Sequence, residues 1–310
     1  MKSQVETERL TQQLRLSDGR TLGFAEYGDL EGTPFVYLHG WPSSRLEPRT
    51  AQKTCADLGV RLIAPDRPGY GLSDFKPRRA IVDWVKDICE LTERLNLNQF
   101  GVLGVSGGGP YAAACAARIP TRLSAVILVC SVAPADSPEA TKGMVALNRC
   151  LLSCARRAPW LAQYIGVFFL KLLWGKGQQV IPEQIEARLG AADRKTLASP
   201  ALRQTLVDSS MEALHGGLRA AVADGLLYGR SCGFRLEDIR IPTYLWHGEK
   251  DVVVPPTMGR YLAKTIPECR ATFCPEDGHF SLPFGRLEEI LKETLPRGHS
   301  SVSPDFDYFQ

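Results

Sequence analysis

The feature that most constrains the fold of this chain is a series of short apolar runs, each followed by a helix-like segment. A strand that is apolar on both faces must be covered on both sides, and helices between such strands bring them together in parallel. The sequence therefore predicts an α/β fold with a mostly parallel, doubly wound sheet. The apolar runs are FVYLHG (35–40), RLIAPD (61–66), FGVLGVS (100–106) and LSAVILVCS (123–131). The helix-like segments lie near residues 45–58, 80–96 and 107–118.

The same rhythm continues toward both ends of the chain. Alternating polarity around Asp18-Gly19 in QQLRLSDGRTLGFAEYG is typical of a β-hairpin. Toward the C-terminus, the strand-like runs TYLWHGE (243–249) and RATFCP (270–275) are each followed by a helical pattern. We therefore expect a sheet of about eight strands.

Residues 134–233 have no strand signal and a helical pattern. We predict a core formed by residues 1–133 and 234–310, with a helical cap, or lid, inserted at 134–233. The most apolar part of this cap, WLAQYIGVFFLKLLWGKG (160–177), contains polar residues and is too interrupted to span a bilayer. We expect this helix to pack on the core. Lining an apolar acyl tunnel is an alternative, and contact with a membrane surface is not expected.

Composition excludes some classes of partner. Lys and Arg number 37 against 34 Asp and Glu, so the net charge is only +3 and there is no dense basic footprint for nucleic acid. The nine cysteines form no CxxC motif and no metal-like Cys/His spacing, so we expect reduced thiols, no metal and no cofactor. The sequence MKSQVETERL lacks the apolar stretch of a secretory signal, which leads us to expect a cytoplasmic protein.

The segment GVLGVSGGGP (101–110) places Ser106 between a buried strand and an alanine-rich helix. A strand-to-helix turn this tight forces the serine into strained backbone geometry, and small neighbours such as Gly104 and Gly108 let the chain cross itself there. Ser106 is therefore a candidate nucleophile. The segment lacks the Lys-Ser/Thr of a phosphate-binding loop and does not match the GxGxxG dinucleotide pattern, whereas a purely structural turn stays open.

A nucleophilic serine needs a general base, and the chain has five histidines. His279 follows the last strand on the loop PEDGHFSL, from which it can reach over the sheet edge toward Ser106. His247, at the end of a strand, is the main alternative. The other histidines are His39, His215 and His299.

A carboxylate that fixes the tautomer of the base completes a site of this type. Asp251 follows the strand 243–249 in EKDVVVPP, and so lies at the carboxyl edge where a parallel sheet gathers its active site. Asp136, just after the strand 123–131, is the alternative acid.

Attack on a carbonyl produces an oxyanion, which backbone N–H groups can stabilise. The amide of Gly107 lies at the start of the helix after the serine, with the positive end of the helix dipole behind it. In HGWP, Gly40 permits a sharp bend and Pro42 has no N–H, so Trp41 is the expected second donor.

Ser106, Asp251 and His279 in this chain order, with HGWP upstream, resemble the α/β-hydrolase superfamily over residues 20–295. The segments DRPGYGLSD (66–74), HGEKDVVVPP and EDGHF also resemble loops of that family. The resemblance implies that Ser106 is the nucleophile, His279 the base and Asp251 the orienting acid. It also implies that the backbone N–H groups of Trp41 and Gly107 are the oxyanion donors.

This resemblance also implies a reaction class. Relatives that dehalogenate alkyl halides or open epoxides need an aspartate in place of Ser106, so neither activity is expected. A serine implies an esterase- or lipase-like hydrolase that cleaves a small to medium, largely apolar carboxylic ester through an acyl-enzyme. Alternative chemistries are lactone, thioester, amide or C–C bond hydrolysis, perhydrolysis and acyl transfer. An alternative of another class is a small-ligand receptor with little turnover.

Overall fold

The computed structural model describes residues 7–134, 139–142, 146–174, 181 and 183–295. Within them the chain forms one eight-stranded sheet. Its strands are β1 (Gln12–Arg15), β2 (Thr21–Gly28), β3 (Thr33–Leu38), β4 (Val60–Pro65), β5 (Phe100–Val105), β6 (Leu123–Val129), β7 (Thr243–Gly248) and β8 (Cys269–Cys274).

Helices cover both faces of this sheet. The α-helices are α1 (Gln52–Asp57), α2 (Trp84–Arg94), α3 (Gly109–Arg118), α4 (Ala146–Arg157), α5 (Pro159–Trp174), α6 (Glu183–Glu186), α7 (Ala191–Leu197), α8 (Pro200–Leu214), α9 (Arg219–Tyr228), α10 (Pro256–Thr265), α11 (Ser281–Gly285) and α12 (Leu287–Thr294). Short 3₁₀ turns span Glu47–Ala51, Ile81–Asp83, Ser106–Gly108, Pro120–Arg122 and Leu236–Asp238.

The strand order is β1-β2-β4-β3-β5-β6-β7-β8. β1 pairs with β2, and β2 with β4, in antiparallel fashion, whereas every pair from β4 through β8 is parallel. The predicted fold class, the N-terminal hairpin and the number of strands are therefore confirmed. Because β5 to β8 are parallel neighbours, their carboxyl ends meet at one edge of the sheet.

Each face of the sheet has its own apolar core, since alternate side chains along a strand point to opposite faces. On β5 all six residues are buried, with Val102 on one face and Leu103 and Val105 on the other. Burial on both faces explains why the central strands have continuous apolar sequences instead of alternating ones.

The chain between β6 and β7 contains α4 to α9 and, in its described part, no strand. This is the segment predicted to form a cap, and the boundaries 134 and 233 remain a prediction. Helix α5 packs one side on α4 and α9 and buries Ala162. Its Trp160, Tyr164 and Phe168 are 66%, 73% and 70% exposed, so the predicted packing of this helix covers only one of its faces. No helix in the described ranges has both the length and the apolar character to cross a membrane.

Candidate active site

Three of the residues singled out from the sequence lie at the carboxyl edge of the sheet. Ser106 follows β5 directly, Asp251 follows β7, and His279 follows β8. Since these strands are parallel members of one sheet, their following loops share one side of the molecule. All three residues are buried or nearly so, with 9%, 5% and 7% of their surface exposed.

Ser106 has a left-handed backbone with φ +52°, which is uncommon for a residue with a side chain. It is the first residue of the 3₁₀ turn that leads into α3, and its carbonyl accepts a hydrogen bond from the Val132 N–H at 3.1 Å. A Cβ atom on Gly108 would lie 1.9 Å from the Leu38 carbonyl oxygen, and one on Gly104 would lie 2.8 Å from the Ala112 Cβ. Tight packing of this turn thus requires both glycines and holds the serine in its strained conformation.

Asp251 and His279 form a hydrogen-bonded pair, with 2.8 Å between Asp251 Oδ2 and His279 Nδ1. The other carboxylate oxygen accepts the N–H groups of Val253 and Val254, both at 2.8 Å. Burial opposes the charge, but His279 and these bonds outweigh it and lower the pKa of Asp251 below its usual value. A carboxylate at this position keeps the Nδ1 proton in place and leaves Nε2 as the basic nitrogen of the ring.

The His279 ring is therefore set up as a base. Burial disfavours its charged form, but the carboxylate of Asp251, followed by those of Asp193 and Glu47, outweighs burial and raises the pKa of His279. The structure does not join this ring to the serine directly: among the described residues, Ser106 Oγ and His279 Nε2 have no hydrogen-bond partner. Catalytic hydrogen bonds of this type are often long without substrate and tighten when it binds.

The two other strand-end histidines have structural surroundings. His247 is fully buried, and its Nε2 donates to the Val254 carbonyl at 3.0 Å. Burial lowers the pKa of this ring. Its bond to Val254 supports the loop that carries Asp251. His39 is also fully buried and bonds the Gly40 carbonyl through Nδ1 at 2.9 Å. Neither ring reaches the serine through a hydrogen bond in the described part of the chain.

The HGWP loop lies beside the serine turn, and its peptide groups have different partners. The Gly40 N–H donates to both carboxylate oxygens of Glu47, at 3.1 and 3.0 Å. By contrast, the Trp41 N–H has no acceptor within the described residues. The N–H of Gly107, the second residue of a helical turn, belongs to the group of amides that have no partner inside a helix. The Trp41 Cβ would lie 2.8 Å from a Cβ added to Gly107, so these two residues are in close contact.

Helix α9 supports both of these backbone groups from the inserted segment. The Trp41 indole Nε1 donates to the Ala221 carbonyl at 2.8 Å. The Tyr228 hydroxyl donates to the Gly107 carbonyl at 3.0 Å. The inserted segment thus contacts two residues beside the serine turn.

Glu47 is a buried acid beneath the HGWP loop that the sequence analysis did not identify. Besides Gly40, it accepts the Tyr37 hydroxyl at 2.7 Å. Burial raises the pKa of this carboxyl, against the lowering effect of these hydrogen bonds. In the sequence Glu47 stands among polar residues in SSRLEPRT, and no local pattern distinguishes it from a solvated side chain.

A second group that the sequence did not reveal is an ion-pair network centred on Asp224 of α9. Its carboxylate binds Arg67 Nε at 2.8 Å and also Arg79, and it accepts the hydroxyls of Tyr111 at 2.7 Å and Tyr70 at 3.0 Å. Burial alone would raise the pKa of Asp224, but Arg79, Arg67 and Tyr111 lower it to about 2.

This network reaches the HGWP loop through one of its cations. The Arg67 guanidinium also donates to the Gly40 carbonyl at 2.8 Å and to the His39 carbonyl. Arg67, which resembled a family loop residue in the sequence, therefore connects the inserted segment to the loop that carries Trp41.

One group of side chains offers sulfur, oxygen and nitrogen atoms of the kind that bind metal ions. Ligand atoms of Cys130, Asp251 and His279 lie within 4.8 Å of one another, and all three residues are buried. Burial and the nearby Asp251 carboxylate raise the pKa of the Cys130 thiol well above its usual value. A thiol that keeps its proton is a poor metal ligand, and the Asp251–His279 bond already uses the other two groups. The donor set therefore fits an acid–base pair better than a metal.

Two residues considered from the sequence, Asp136 and His299, lie outside the described residues. His215 directly follows α8 and is exposed.

Comparisons with known proteins agree with this architecture. Residues 33–149 match the family model described as alpha/beta hydrolase fold. A non-heme chloroperoxidase of Streptomyces lividans is 35% identical over 120 residues, which cover 38% of this chain and 44% of that protein. The chain thus matches less than half the length of this relative.

Matches over nearly the whole chain are more distant. Lipase 1 of Psychrobacter immobilis is 25% identical over 300 residues, 94% of this chain and 83% of that protein. An esterase structure from Thermogutta terrifontis superposes with a TM-score of 0.64 and 23% identity, over 91% of this chain and 97% of the other. At this identity the superposition supports the fold alone.

Proposed function

The chain belongs to the α/β-hydrolase superfamily, and we propose that it is a serine hydrolase that cleaves a small to medium, largely apolar carboxylic ester through an acyl-enzyme. The observation that carries this proposal is the buried Asp251–His279 hydrogen bond at the sheet edge that also presents the strained Ser106. A bond of this kind prepares an imidazole to take a proton from a nucleophile.

In the first half-reaction, His279 Nε2 takes the proton from Ser106 Oγ as Oγ bonds to the ester carbonyl carbon. The carbonyl oxygen becomes an oxyanion. His279 then returns the proton to the alcohol oxygen as the C–O bond breaks, which leaves an acyl-serine. In the second half-reaction, water gives a proton to His279 as its oxygen attacks the acyl carbon, and His279 then returns that proton to Ser106 Oγ as the C–Oγ bond breaks, which releases the acid and the free serine.

The N–H groups of Trp41 and Gly107 are the proposed oxyanion donors. Gly40 next to them is not available, since Glu47 accepts its N–H. Donors that are already aimed at the developing charge are worth about 3 kcal/mol each. Their positions depend on contacts with α9, which fix the indole of Trp41 and the carbonyl of Gly107.

The apolar character of the substrate is supported by the surroundings of the inserted segment. A cavity of about 770 Å³ lies between α5, α9 and the loop at Phe75, and its lining combines the apolar residues Val167, Val222 and Leu226 with the cations Arg78, Lys171 and Arg219. Helix α9 also contacts Trp41, through the Ala221 carbonyl. We propose that an apolar acyl or alcohol group of the substrate extends from the serine toward the apolar part of this lining.

A panel of p-nitrophenyl esters with acyl chains of increasing length tests the proposal. We expect hydrolysis by the wild type, strongest for short and medium chains, and loss of measurable turnover in Ser106→Ala. If the wild type and Ser106→Ala release product at the same rate, the serine mechanism is wrong. If neither turns over any ester, while an ester raises the melting temperature without being consumed, the protein is a ligand-binding member of its superfamily.

A further inference from the structure

Asp193 is one of two acidic residues in the described part of the inserted segment whose side chains are completely buried, and the other is Asp224. Asp193 is the third residue of α7, a short helix between β6 and β7 that has no sequence motif. No Lys, Arg or His of the described residues forms an ion pair with it. A buried carboxylate without a cation needs other hydrogen-bond donors to offset its lost hydration.

The donors that bind Asp193 are three consecutive backbone N–H groups of the loop that carries the general base. Oδ2 accepts the N–H of His279 at 3.0 Å. Oδ1 accepts the N–H groups of Phe280 at 3.0 Å and Ser281 at 2.8 Å. These amides lie at the start of α11 and would otherwise have no acceptor.

The loop PEDGHFSL (275–282), which carries His279 and is called the base loop below, leaves room for the Asp193 carboxylate. A Cβ atom on Gly278 would lie only 2.2 Å from Asp193 Oδ2, so a side chain at position 278 would displace the carboxylate. The Gly278 N–H in turn donates to Ser281 Oγ at 2.9 Å. The loop thus needs a glycine directly beside His279 for the two segments to approach each other.

Apolar contacts hold α7 in this position. The inserted segment contains a buried apolar cluster formed by Leu189, Leu197, Leu202 and Leu206. Three residues outside that segment pack against it: Val252, Phe280 and Phe284. Phe280 follows His279, and Val252 follows Asp251. The cluster therefore joins the inserted segment to both loops of the acid–base pair.

We propose that Asp193 is a positioning residue that fixes the main chain of His279, as Asp251 fixes its ring. This inference rests on the proposed serine hydrolase function. The ring and the backbone of the base are then held by two carboxylates from distant parts of the chain, one of them in the inserted segment. A small displacement of a catalytic group costs a large factor in rate, so loss of either anchor lowers turnover.

The charge of Asp193 acts on the same ring. In the described part of the chain, the charged or titratable groups around His279 are Asp251, Asp193, Glu47, His247 and the thiol of Cys130. Asp193 favours the charged imidazolium, so its removal lowers the pKa of His279 from the raised value described above.

Asp193→Asn is the direct test, because an amide has the shape of the carboxylate but only one accepting oxygen. If that oxygen keeps the two bonds to Phe280 and Ser281, the amide NH₂ faces the His279 N–H and that bond is lost. We expect kcat for a p-nitrophenyl ester to fall about tenfold to a hundredfold, with little change in KM. The acid limb of the kcat/KM profile should move to lower pH.

Gly278→Ala serves as a second variant because it displaces Asp193 without removing its charge, and it keeps the test open if Asp193→Asn does not fold. We expect a loss of kcat as in Asp193→Asn but a smaller change of the acid limb. Ser199→Ala is the matched control: it removes the N-terminal cap of α8 in the same segment, where Ser199 Oγ accepts the Leu202 N–H at 3.4 Å, and it removes no hydrogen bond to the base loop. It should reduce stability and leave kcat unchanged.

An NMR titration of His279, assigned by comparison with His279→Gln, measures the same effect without any turnover. Asp193→Asn should titrate at lower pH than the wild type. An unchanged His279 pKa together with wild-type kcat in Asp193→Asn would overturn the inference, as would a loss of kcat in Ser199→Ala equal to that in Asp193→Asn. If the wild type hydrolyses no ester, the proposed function fails, and the NMR titration still decides whether Asp193 acts on His279.

Discussion

Substitution of Asp224 by Asn tests the idea that a buried ion-pair network joins the inserted segment to the HGWP loop. Asp224 is fully buried, and its partners Arg67 and Arg79 are 0% and 3% exposed at their side chains. Asn keeps the size of the side chain but removes the anion that pairs with both buried cations. Breaking a buried pair by removing one partner costs about 3–5 kcal/mol.

The lowered pKa of Asp224 gives a second magnitude for this effect. Its carboxyl pKa falls from 3.8 to about 2 on folding, and this difference corresponds to about 2 kcal/mol between the charged and neutral forms of the group. Neutral Asn resembles the protonated acid in shape and charge. We therefore expect a loss of about 2–5 kcal/mol in the free energy of unfolding at pH 7, measured by urea denaturation.

Asp208→Asn is the control because Asp208, also in the inserted segment, pairs with an arginine outside that segment, Arg49, at 2.7 Å. That pair is about one-third exposed on both sides, and such pairs contribute about 0–1 kcal/mol. Asp208→Asn should thus change stability far less than Asp224→Asn.

The pH dependence of the free energy of unfolding tests whether the charge of Asp224 stabilises the fold. Because folding lowers the pKa of Asp224, its stabilising contribution is present above pH 3.8 and is lost as the pH falls through about 2. The difference between wild type and Asp224→Asn should shrink in the same range. Equal stability of Asp224→Asn and Asp208→Asn at pH 7, or a difference that grows in acid, would refute the reasoning.

Three further predictions concern the site itself. Gly108→Ala should destabilise the fold by about 3 kcal/mol or more in urea denaturation, since its Cβ would lie 1.9 Å from the Leu38 carbonyl oxygen; a stable variant would contradict the close packing of the turn. Asp251→Asn should lower kcat for a p-nitrophenyl ester by about 10³- to 10⁴-fold while the fold persists, and a loss below tenfold would exclude Asp251 as the orienting acid. The acid limb of kcat/KM should lie above pH 6.5, the ordinary pKa of histidine, because burial of His279 is outweighed by its carboxylate neighbours and the ring must be neutral to accept a proton; a limb below that pH would contradict the raised pKa.

The core of the fold was predictable from sequence because the information is local. Each signal involves only a few neighbouring positions, as in the apolar run of β5, the glycines around Ser106 and the turn residues after β7. Parallel strands then bring their carboxyl ends together at one edge of the sheet. The same local signals indicated His279 and Asp251, which the structure joins by a hydrogen bond.

The supporting acids could not be predicted in this way. Asp193, Asp224 and Glu47 each lie in a polar or helical stretch, where a carboxylate is normally solvated. Their burial depends on partners far along the chain, such as the His279 backbone for Asp193 and Arg67 for Asp224. Those pairings follow from the packing of the inserted segment, and no spacing in a single sequence encodes them.

Labelling with a fluorophosphonate tests the central claim most directly, because this probe reacts covalently with an activated serine and needs no knowledge of the substrate. Mass spectrometry of the labelled wild type should place the adduct on Ser106. Labelling should be much slower in His279→Gln and absent in Ser106→Ala. An adduct on another residue, or equal labelling of wild type and His279→Gln, would contradict a serine activated by the Asp251–His279 pair.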